Sequence, residues 1–409
     1  MNNTSLSTDL VVIGGGAAGV FAAITAAELN QNLQIVILEQ GNDVLGKVKI
    51  SGGGRCNVTH ACYDTDELLK FYPRGYKELR SIFNHFGCEQ TVNWFQHRGV
   101  MLKTETDGRI FPKTDRSQTI IDCLVNQIQQ FNISILKQAK VTQIMFDDEF
   151  TISVNHQKIT AQKLLIATGS SNIIWNILQQ NKHPIIPPVP SLFTFNCKNE
   201  LIKGLEGVTF NNVKVQLQES KIYTEGALLI THTGLSGPSI LKLSAFAARI
   251  LHEKNYAFKI DINWVNKNLE EILLQFKKIK EEHTKKQIGN CTPFLLPNRF
   301  WHKALAFTGI SAQKTVADLS KNEWNNLAQI IYKTTFQIHS KNTNKEEFVT
   351  AGGIDLKAVN FKTMESKIIP NLFFAGEVLN IDAVTGGFNF QAAWATGFVA
   401  GSSIANYNK

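Results

Sequence analysis

The first forty residues alternate between apolar runs and small residues in a pattern typical of a strand, a tight turn and a helix. Leu10 to Ile13 form a continuous apolar run, Gly14–Gly19 reads GGGAAG, and a helical stretch follows from Val20 to Leu29. A second apolar run from Gln34 to Leu38 ends at Glu39. Short continuous apolar runs are typical of strands buried on both faces. The N-terminus therefore predicts a β–α–β unit.

A related pattern returns near the C-terminus. Asn371 to Ala375 is a hydrophobic strand that leads into Gly376-Glu377, and Gly386-Gly387 precedes a helix from Phe388 to Ala400. Leu164 to Ile166 is another apolar strand, and it runs into Ala167-Thr168-Gly169. Without other information, this last strand and turn are ordinary structure.

In the middle of the chain, the spacing of apolar and polar residues changes first to a β-type pattern and then to a helical one. Short β-type runs separated by polar turns occupy Ser191–Phe195, Val213–Leu217 and Ala227–Thr231, which predicts a small β-barrel-like module. The pattern then becomes helical, most clearly over Leu269–Lys280 and Glu323–Thr335. We expect a helical insert after the β module.

Composition narrows the class of protein. The 409 residues are 43% hydrophobic and 19% charged, which fits a globular chain of two or three domains. No basic and apolar leader opens the sequence, and no run reaches the ~18 apolar residues of a membrane helix, so we expect a cytoplasmic protein without a membrane partner. Six scattered cysteines lack CxxC spacing, so we expect reduced thiols and no metal.

The N-terminal glycines have the spacing of a dinucleotide site. Gly14 permits the tight turn, Gly16 lets the backbone approach a pyrophosphate, and Gly19 lets helix and strand pack closely. An acid at the end of the second strand accepts hydrogen bonds from ribose hydroxyls and repels a 2′-phosphate, which favours FAD or NAD over NADP. The residues predicted to contact the dinucleotide here are Gly14, Gly16, Ala17, Ala18, Gly19, Glu39 and Gln40.

A second glycine run lies between Lys47 and Asn57. Three consecutive glycines from Gly52 to Gly54 let the main chain lie against a flat or charged ligand, and Arg55 can place a planar cation on a phosphate or carboxylate. A flexible surface loop is the alternative interpretation.

These segments together resemble a widespread bacterial family of NAD(P)/FAD-dependent oxidoreductases, also described as aminoacetone-oxidase-like FAD-binding enzymes, in which a bile-acid-intermediate reductase is placed. The resemblance is carried by motifs in the same order along nearly the whole chain: SGGGRCN (51–57), GRIFP (108–112), LLIATG (164–169), THTGLSGP (231–238), TMESK (363–367) and AGEVLNIDAVTGGFNFQAAWATG (375–397). It implies FAD as cofactor and an α/β fold in which both chain ends form a glutathione-reductase-like FAD-binding Rossmann domain.

The expected domain division follows. The first part of the FAD-binding domain is 1–190, the β-barrel-like insert is 191–262, and the helical insert is 263–333. A return segment of the β insert is 334–350, and the second part of the FAD-binding domain is 351–409. No second GxGxxG precedes a strand-end acid, so NADH or NADPH is expected only as a transient electron donor.

The cofactor site is expected to continue through the later motifs. Glu377 can reach the ribityl chain, and the amides of Gly387 and Phe388 at a helix start can face the anionic edge of a reduced flavin. Asn389 and Gln391 are each either a flavin contact or a polar surface residue of the helix. With the resemblance, the further predicted contacts are Lys47, Ser51, Gly53, Gly54, Arg55, Cys56, Asn57, Val141, Ala167, Thr168, Gly169, Gly376, Glu377, Gly386, Gly387, Phe388 and Asn389.

Two side chains are catalytic candidates. His232 could handle the proton that accompanies hydride transfer, since a free imidazole titrates near ~6.5, or it is a hydrogen-bonded loop histidine. Arg109 could anchor a substrate carboxylate, hold a flavin phosphate, or only stabilise a turn. Cys56 invites comparison with flavin disulfide reductases, but it lacks a partner at a familiar spacing.

The leading hypothesis is an FAD-dependent oxidoreductase, either an NAD(P)H-linked reductase or an oxidase, acting on a small organic molecule. An RNA-modifying flavoprotein is the second, because the net charge is +8 and a lysine-rich stretch spans Lys277–Lys286, although a solvated helix face also explains that stretch. Nucleic acid is the less favoured partner. A flavin-binding protein without turnover is the third, and the oligomeric state is left open.

Overall fold

The computed structural model describes residues 6–155, 157–342 and 349–406. Two compact units share these residues. We call the first the Rossmann unit; it contains the chain up to Val189 and again from Val349 onward. The second, the inserted unit, begins at Pro190 and includes the residues described up to Asn342.

The strands are β1 (Leu6–Ile13), β2 (Ile35–Leu38), β3 (Thr59–His60), β4 (Leu102–Thr104), β5 (Arg109–Pro112), β6 (Ser134–Leu136), β7 (Val141–Phe146), β8 (Phe150–Val154), β9 (Gln157–Ile166), β10 (Ile185–Ser191), β11 (Thr194–Asn196), β12 (Thr209–Leu217), β13 (Tyr223–Ile230), β14 (Gly234–Ser236), β15 (Phe258–Asn263), β16 (Thr334–Ile338), β17 (Ser340–Asn342), β18 (Val349–Ile354), β19 (Val359–Asn360), β20 (Glu365–Ser366) and β21 (Leu372–Phe374).

The α-helices are α1 (Ala17–Leu29), α2 (Gly46–Gly54), α3 (Thr65–Leu69), α4 (Tyr76–His85), α5 (Cys88–His97), α6 (Ser117–Gln130), α7 (Asn172–Gln180), α8 (Pro238–Phe246), α9 (Ala248–Glu253), α10 (Leu269–Glu282), α11 (Asn298–Phe307), α12 (Lys321–Tyr332) and α13 (Phe388–Asn406). Short 3₁₀ turns occupy Ile288–Asn290, Pro293–Leu295, Val316–Asp318, Leu356–Ala358 and Gly376–Val378.

A mixed sheet forms the centre of the Rossmann unit. Its strand order is β19-β20-β21-β9-β1-β2-β6, with β7 and β8 joined to β9 as an antiparallel branch. The pairs β21–β9, β9–β1, β1–β2 and β2–β6 are parallel, and β2, β21 and the Leu10–Ile13 part of β1 are fully apolar. The α/β Rossmann prediction is confirmed. The last strand of the chain lies two places from the first.

The helices of the two chain ends pack on each other through glycine. A methyl group on Gly397 would lie 2.7 Å from the carbonyl oxygen of Ala18, and one on Gly401 would lie 2.4 Å from that of Ala22. Only glycine allows α1 and α13 to approach this closely, since a backbone oxygen cannot move aside as a flexible side chain does.

The inserted unit has a seven-stranded sheet in the order β16-β15-β12-β13-β14-β11-β17, with antiparallel pairing throughout. The expected β-barrel-like and helical inserts share one hydrophobic core here. Phe210 and Trp264 from the sheet side pack on Phe300 of α11, with ring centroids 4.9 and 4.6 Å from the Phe300 ring. Part of the expected return segment, residues 343–348, lies outside the described residues.

None of the helices in the described ranges is both long and apolar enough to cross a membrane. Within the same ranges, no group of three or more His, Cys, Asp or Glu side chains is arranged to hold a metal ion.

Candidate cofactor site

The glycines at the start of α1 have two kinds of surroundings: some pack tightly against backbone, and one faces open space. Gly14 has a φ of +108°, and a methyl group there would lie 2.4 Å from the carbonyl oxygen of Ala167. On Gly19 it would lie 2.1 Å from the carbonyl oxygen of Gly14. On Gly16 it would meet nothing within 4 Å. Gly14 and Gly19 therefore close the turn, while Gly16 faces space large enough for another group.

The N-terminus of α1 is suited to an anion. No side chain caps the helix at Gly16, and its first turn has no acidic residue. The first amides of a helix, here those of Ala17, Ala18 and Gly19, lack partners within the helix and carry the positive end of its dipole. Such a terminus is a ready site for phosphate groups.

Glu39 is fixed beside this turn. Its Oε2 accepts a hydrogen bond from the Gly15 amide at 2.9 Å, and its Oε1 accepts one from the Gly41 amide at 2.7 Å. A carboxylate has about four lone-pair sites, so two bonds leave capacity for ribose hydroxyls. Gln40 is exposed next to it.

The SGGG segment forms an irregular turn at the end of α2. The backbone leaves helical geometry at Ser51, whose ψ is 150°, and Gly52 to Gly54 all have positive φ. Methyl groups on Gly53 and Gly54 would meet nothing within 4 Å. The run therefore presents bare backbone, as its three glycines predict. The Ser51 hydroxyl is not turned outward; it donates to the carbonyl of Val48 at 2.9 Å.

Four segments converge at Glu377. Its Oε2 pairs with Nζ of Lys47 at 2.6 Å, and its Oε1 accepts from the Thr350 amide at 3.1 Å. A methyl group on Gly169 would lie 3.7 Å from Oε2 of Glu377 and 4.0 Å from the Lys47 ammonium. The LLIATG and AGE motifs, the start of α2 and β18 thus meet at one carboxylate.

The GG pair before α13 contacts the SGGGRCN motif directly. With its side-chain amide oriented to satisfy its neighbours, Asn57 accepts a hydrogen bond from the Gly387 amide at 2.9 Å and donates to the carbonyl of Thr59 at 3.0 Å. The Gly387 amide, expected to face the flavin, is thus engaged by Asn57. Gly386 has a φ of +137°, and Gly376 lies against Ala18 of α1.

Asn389 and Gln391 serve the protein interior. The Asn389 amide brackets Ala383, accepting from its nitrogen at 2.9 Å and donating to its oxygen at 3.0 Å. Gln391 is fully buried, and its Oε1 accepts from the hydroxyls of Thr59 and Thr91 at 2.6 and 2.9 Å. The polar groups of Asn389 and Gln391, which suggested flavin contacts, form hydrogen bonds within the protein. These bonds hold the loop before α13 and the start of that helix in place.

The remaining predicted contacts are buried or part of turns. Ala167 and Thr168 form the turn beside Gly14, and Val141 is buried in β7 opposite Val154. Cys56 is fully buried, and desolvation raises the pKa of its thiol to about 12, against a weak opposing hydrogen bond with Ser51. A thiol that stays protonated is a poor nucleophile, so Cys56 has the environment of a structural residue.

Arg55 and Arg109 share an aromatic and acidic cluster. Arg55 lies over the ring of Phe111 at 4.0 Å and pairs with Glu105 at 2.6 Å, which raises the pKa of the Arg55 guanidinium. Arg109 pairs with the other oxygen of Glu105 at 3.1 Å and with Asp107 at 2.7 Å. Arg109 therefore already has carboxylate partners within its own turn.

His232 lies in the other unit from all the residues above. It is exposed in the turn between β13 and β14, just before α8, which begins with Pro238 at its first position. It interacts with Glu206, whose pKa is lowered mainly by backbone hydrogen bonds and partly by His232.

A segment without a recognised sequence motif also reaches the site. Residues 71–75, FYPRG, run beside the loop that precedes α13: the Phe71 carbonyl accepts from the Val384 amide at 3.0 Å, and the Tyr72 hydroxyl donates to the carbonyl of Phe388 at 2.6 Å. Arg74 forms a two-armed ion pair with Asp382. Aromatic residues around Pro-Arg-Gly were the available signal, but neither periodicity nor spacing links them to residues three hundred positions away.

Comparisons with known proteins agree with this architecture. The family model described as HI0933-like protein Rossmann domain matches residues 8–403. A ribosomal RNA dihydrouridine synthase of Haemophilus influenzae is 28% identical over 97% of this chain and 98% of its own length. A 3-dehydro-bile acid delta(4,6)-reductase of Clostridium scindens is 26% identical over 96% and 98%. The solved 3-ketosteroid-delta4-(5alpha)-dehydrogenase of Rhodococcus jostii shares the fold, with a TM-score of 0.53, 14% identity and coverage of 98% and 97%.

Proposed function

The chain belongs to the HI0933-like Rossmann-domain family, and from that premise we propose that it is an FAD-dependent oxidoreductase acting on a carbon–carbon double bond conjugated to a carbonyl group. By their names, the dihydrouridine synthase and the bile acid reductase described above both add hydrogen to such a bond. The first acts on a uracil base and the second on a 3-dehydro bile acid. A carbonyl polarises the double bond, so one carbon accepts a hydride and its neighbour a proton.

One observation supports FAD above all others: the open face at Gly16 meets an uncapped helix start and a fixed acid. The helix start suits the pyrophosphate and Glu39 suits the adenosine ribose, while Glu377 in the AGE motif suits the ribityl hydroxyls. When bound, FAD supplies hydride transfer.

The chain's own residues hold and orient the two carboxylates and the glycine turn of the proposed FAD site. The amides of Gly15 and Gly41 keep the Glu39 carboxylate aimed across the turn. Lys47 balances the charge of Glu377, and the Thr350 amide fixes its rotamer. Asn57 sets the Gly386-Gly387 turn before α13. For the proton, His232 is our candidate acid, since an imidazole can donate near neutral pH.

The experiment begins with the purified protein. We expect a yellow protein that releases FAD on denaturation and whose flavin is bleached anaerobically by NADH or NADPH. Reoxidation is then followed with a 3-keto-4-ene steroid, a small enone, or a uridine-containing RNA. A colourless protein that cannot be loaded with FAD contradicts the proposal.

A second candidate, reduction of uracil in RNA, is favoured by the distribution of charge. Residues 190–348 contain 21 Lys and Arg against 14 Asp and Glu, whereas the rest of the chain contains 21 against 20. Nearly all the excess positive charge therefore belongs to the inserted unit. Phosphate backbones bind such surfaces with strong salt dependence.

This candidate has its own test. Lys277, Lys278 and Lys280 lie exposed on α10, and changing all three to Glu should weaken RNA binding and flatten its salt dependence. The matched control makes the same change at Lys357, Lys362 and Lys367 of the Rossmann unit. An equal loss of RNA binding in both variants favours a small-molecule substrate. So does a protein that reduces enones but forms no dihydrouridine in the RNAs tested.

A further inference from the structure

The strongest unexplained feature is the fit between residues 71–75, which we call the clamp segment, and residues 380–387, which we call the C-terminal loop. Nearly every clamp residue contacts this loop or the first residue of α13. The Phe71 ring stacks on Phe388 with centroids 4.1 Å apart, and the tight αL turn at Gly75 lies so close that a methyl group there would be 2.5 Å from the Ile381 side chain. Backbone, aromatic and ionic contacts are thus combined over five residues.

The ion pair at the centre of the clamp is buried. The Asp382 side chain is fully buried and that of Arg74 is 14% exposed, and both guanidinium arms bind the carboxylate. Burying two charges is costly, and removing one partner leaves the other without compensation in a low-dielectric site. A pair of this kind is a poor device for stability alone and is better suited to fixing one geometry.

The loop it holds has no regular secondary structure. It is tied at Asp382 by Arg74, at Ala383 by Asn389, at Val384 by the Phe71 carbonyl and at Gly387 by Asn57. Ties at four positions over six residues make this loop rigid before any ligand arrives. Sites held rigid by such supporting contacts bind without a cost for ordering the loop.

We propose that the clamp segment is the positioning device of the flavin site, with Arg74 and Asp382 as positioning residues that set the C-terminal loop and cancel a buried charge beside the cofactor. The ligand in this proposal rests on the proposed FAD binding. The clamp's action on the loop does not depend on it.

The test compares Arg74→Gln, Asp382→Asn, the double variant and Arg74→Lys with the unmodified protein. The FAD dissociation constant is measured by titrating the apoprotein, and hydrogen exchange of residues 380–387 is measured without ligand. We expect Arg74→Gln to raise the dissociation constant by about tenfold or more, equivalent to about 1.4 kcal/mol, and to speed exchange in the loop. Arg74→Lys should recover part of the affinity, because it restores the charge without the two-armed geometry.

The flavin midpoint potential separates positioning from general loosening. Asp382→Asn removes the carboxylate that pairs with the Arg74 cation and should raise the potential, whereas the double variant removes both charges and should return the potential toward that of the unmodified protein. If the pair acts only on stability, the potential is the same in every folded variant.

The control is Arg80→Gln on α4. Arg80 and Asp66 also form an ion pair, but both side chains are more than half exposed, so FAD binding should not change. If Arg74→Gln does not fold, Tyr72→Phe removes only the hydroxyl bond to Phe388 and should give a smaller rise in the same dissociation constant. Unchanged affinity and loop exchange in folded variants overturn the proposal. An unmodified protein that takes up no FAD overturns instead the proposed function.

Discussion

Single buried groups in this protein have local effects that can be measured. His183 is 1% exposed, its Nε2 lies 2.8 Å from the Ser366 hydroxyl, and its ring meets Phe374 edge-on. Desolvation lowers the pKa of His183, and backbone hydrogen bonds only partly oppose this. The folded protein therefore holds this imidazole neutral.

His183 should make the protein less stable in mild acid. Its folded pKa lies below the unfolded value of ~6.5, so the unfolded state takes up the proton first. Its contribution is complete above the unfolded pKa and is lost as pH falls below ~6.5 toward the lower folded pKa. We expect His183→Gln to be less stable at pH 8 but to lose less stability between pH 6.5 and 5, as measured by urea unfolding. Exposed His97→Gln is the control, and an unchanged slope in His183→Gln contradicts the prediction.

A substitution at Gly16 should change FAD binding with little effect on folding. Because a side chain there meets open space and the backbone φ is −81°, Gly16→Val should change the free energy of unfolding by less than about 1 kcal/mol. The same side chain would stand where the pyrophosphate is expected, so FAD content after purification should fall to near zero. Gly46→Ala, also facing open space, is the control. Full FAD content in Gly16→Val would mean that the N-terminal assignment is wrong.

At the scale of elements, the pattern of apolar residues and glycines predicted those strands, helices and turns that depend on contacts between residues close in sequence. The strands, helices and glycine turns at both chain ends appear where apolar runs and glycines place them. The α2 turn shows the limit: three glycines predict bare backbone, but only the fold decides that Ser51 turns back to Val48. The inward turn of Gln391 toward Thr59 and Thr91 was equally hidden, because its partners are about three hundred residues away.

The α1–α13 contact gives the element-scale prediction. A methyl group on Gly401 would meet the Ala22 carbonyl and the Thr25 side chain, so Gly401→Ala must push the helices apart. Overpacking of this kind costs about 1–3 kcal/mol. The measurement is the free energy of unfolding of the apoprotein in urea, with Ser403→Ala on the same helix as the control. A Gly401→Ala protein as stable as the control would show that the helices can separate without loss.

For the whole molecule, the resemblance to a flavoprotein family, carried by motifs near both ends of the chain, predicted that the chain ends form one Rossmann fold. It did not predict that the expected β and helical inserts share a core. Phe210, Trp264 and Phe300 meet from separate stretches of sequence, and no periodicity records such a contact. The clamp segment was missed for the same reason.

The division into two units leads to the last prediction. All the proposed cofactor contacts lie in the Rossmann unit, and β10 and β18, which flank the insertion, pair with each other. The ends left by removing the inserted unit are therefore close, and residues 1–191 should join residues 349–409 through a Gly/Ser linker of about four residues. We expect this shortened chain to fold and bind FAD, measured by circular dichroism and flavin absorbance. The excised residues 192–348 have their own apolar core and should fold separately without flavin. A shortened chain that folds but takes up no FAD would contradict the prediction that the Rossmann unit alone is sufficient to hold the cofactor.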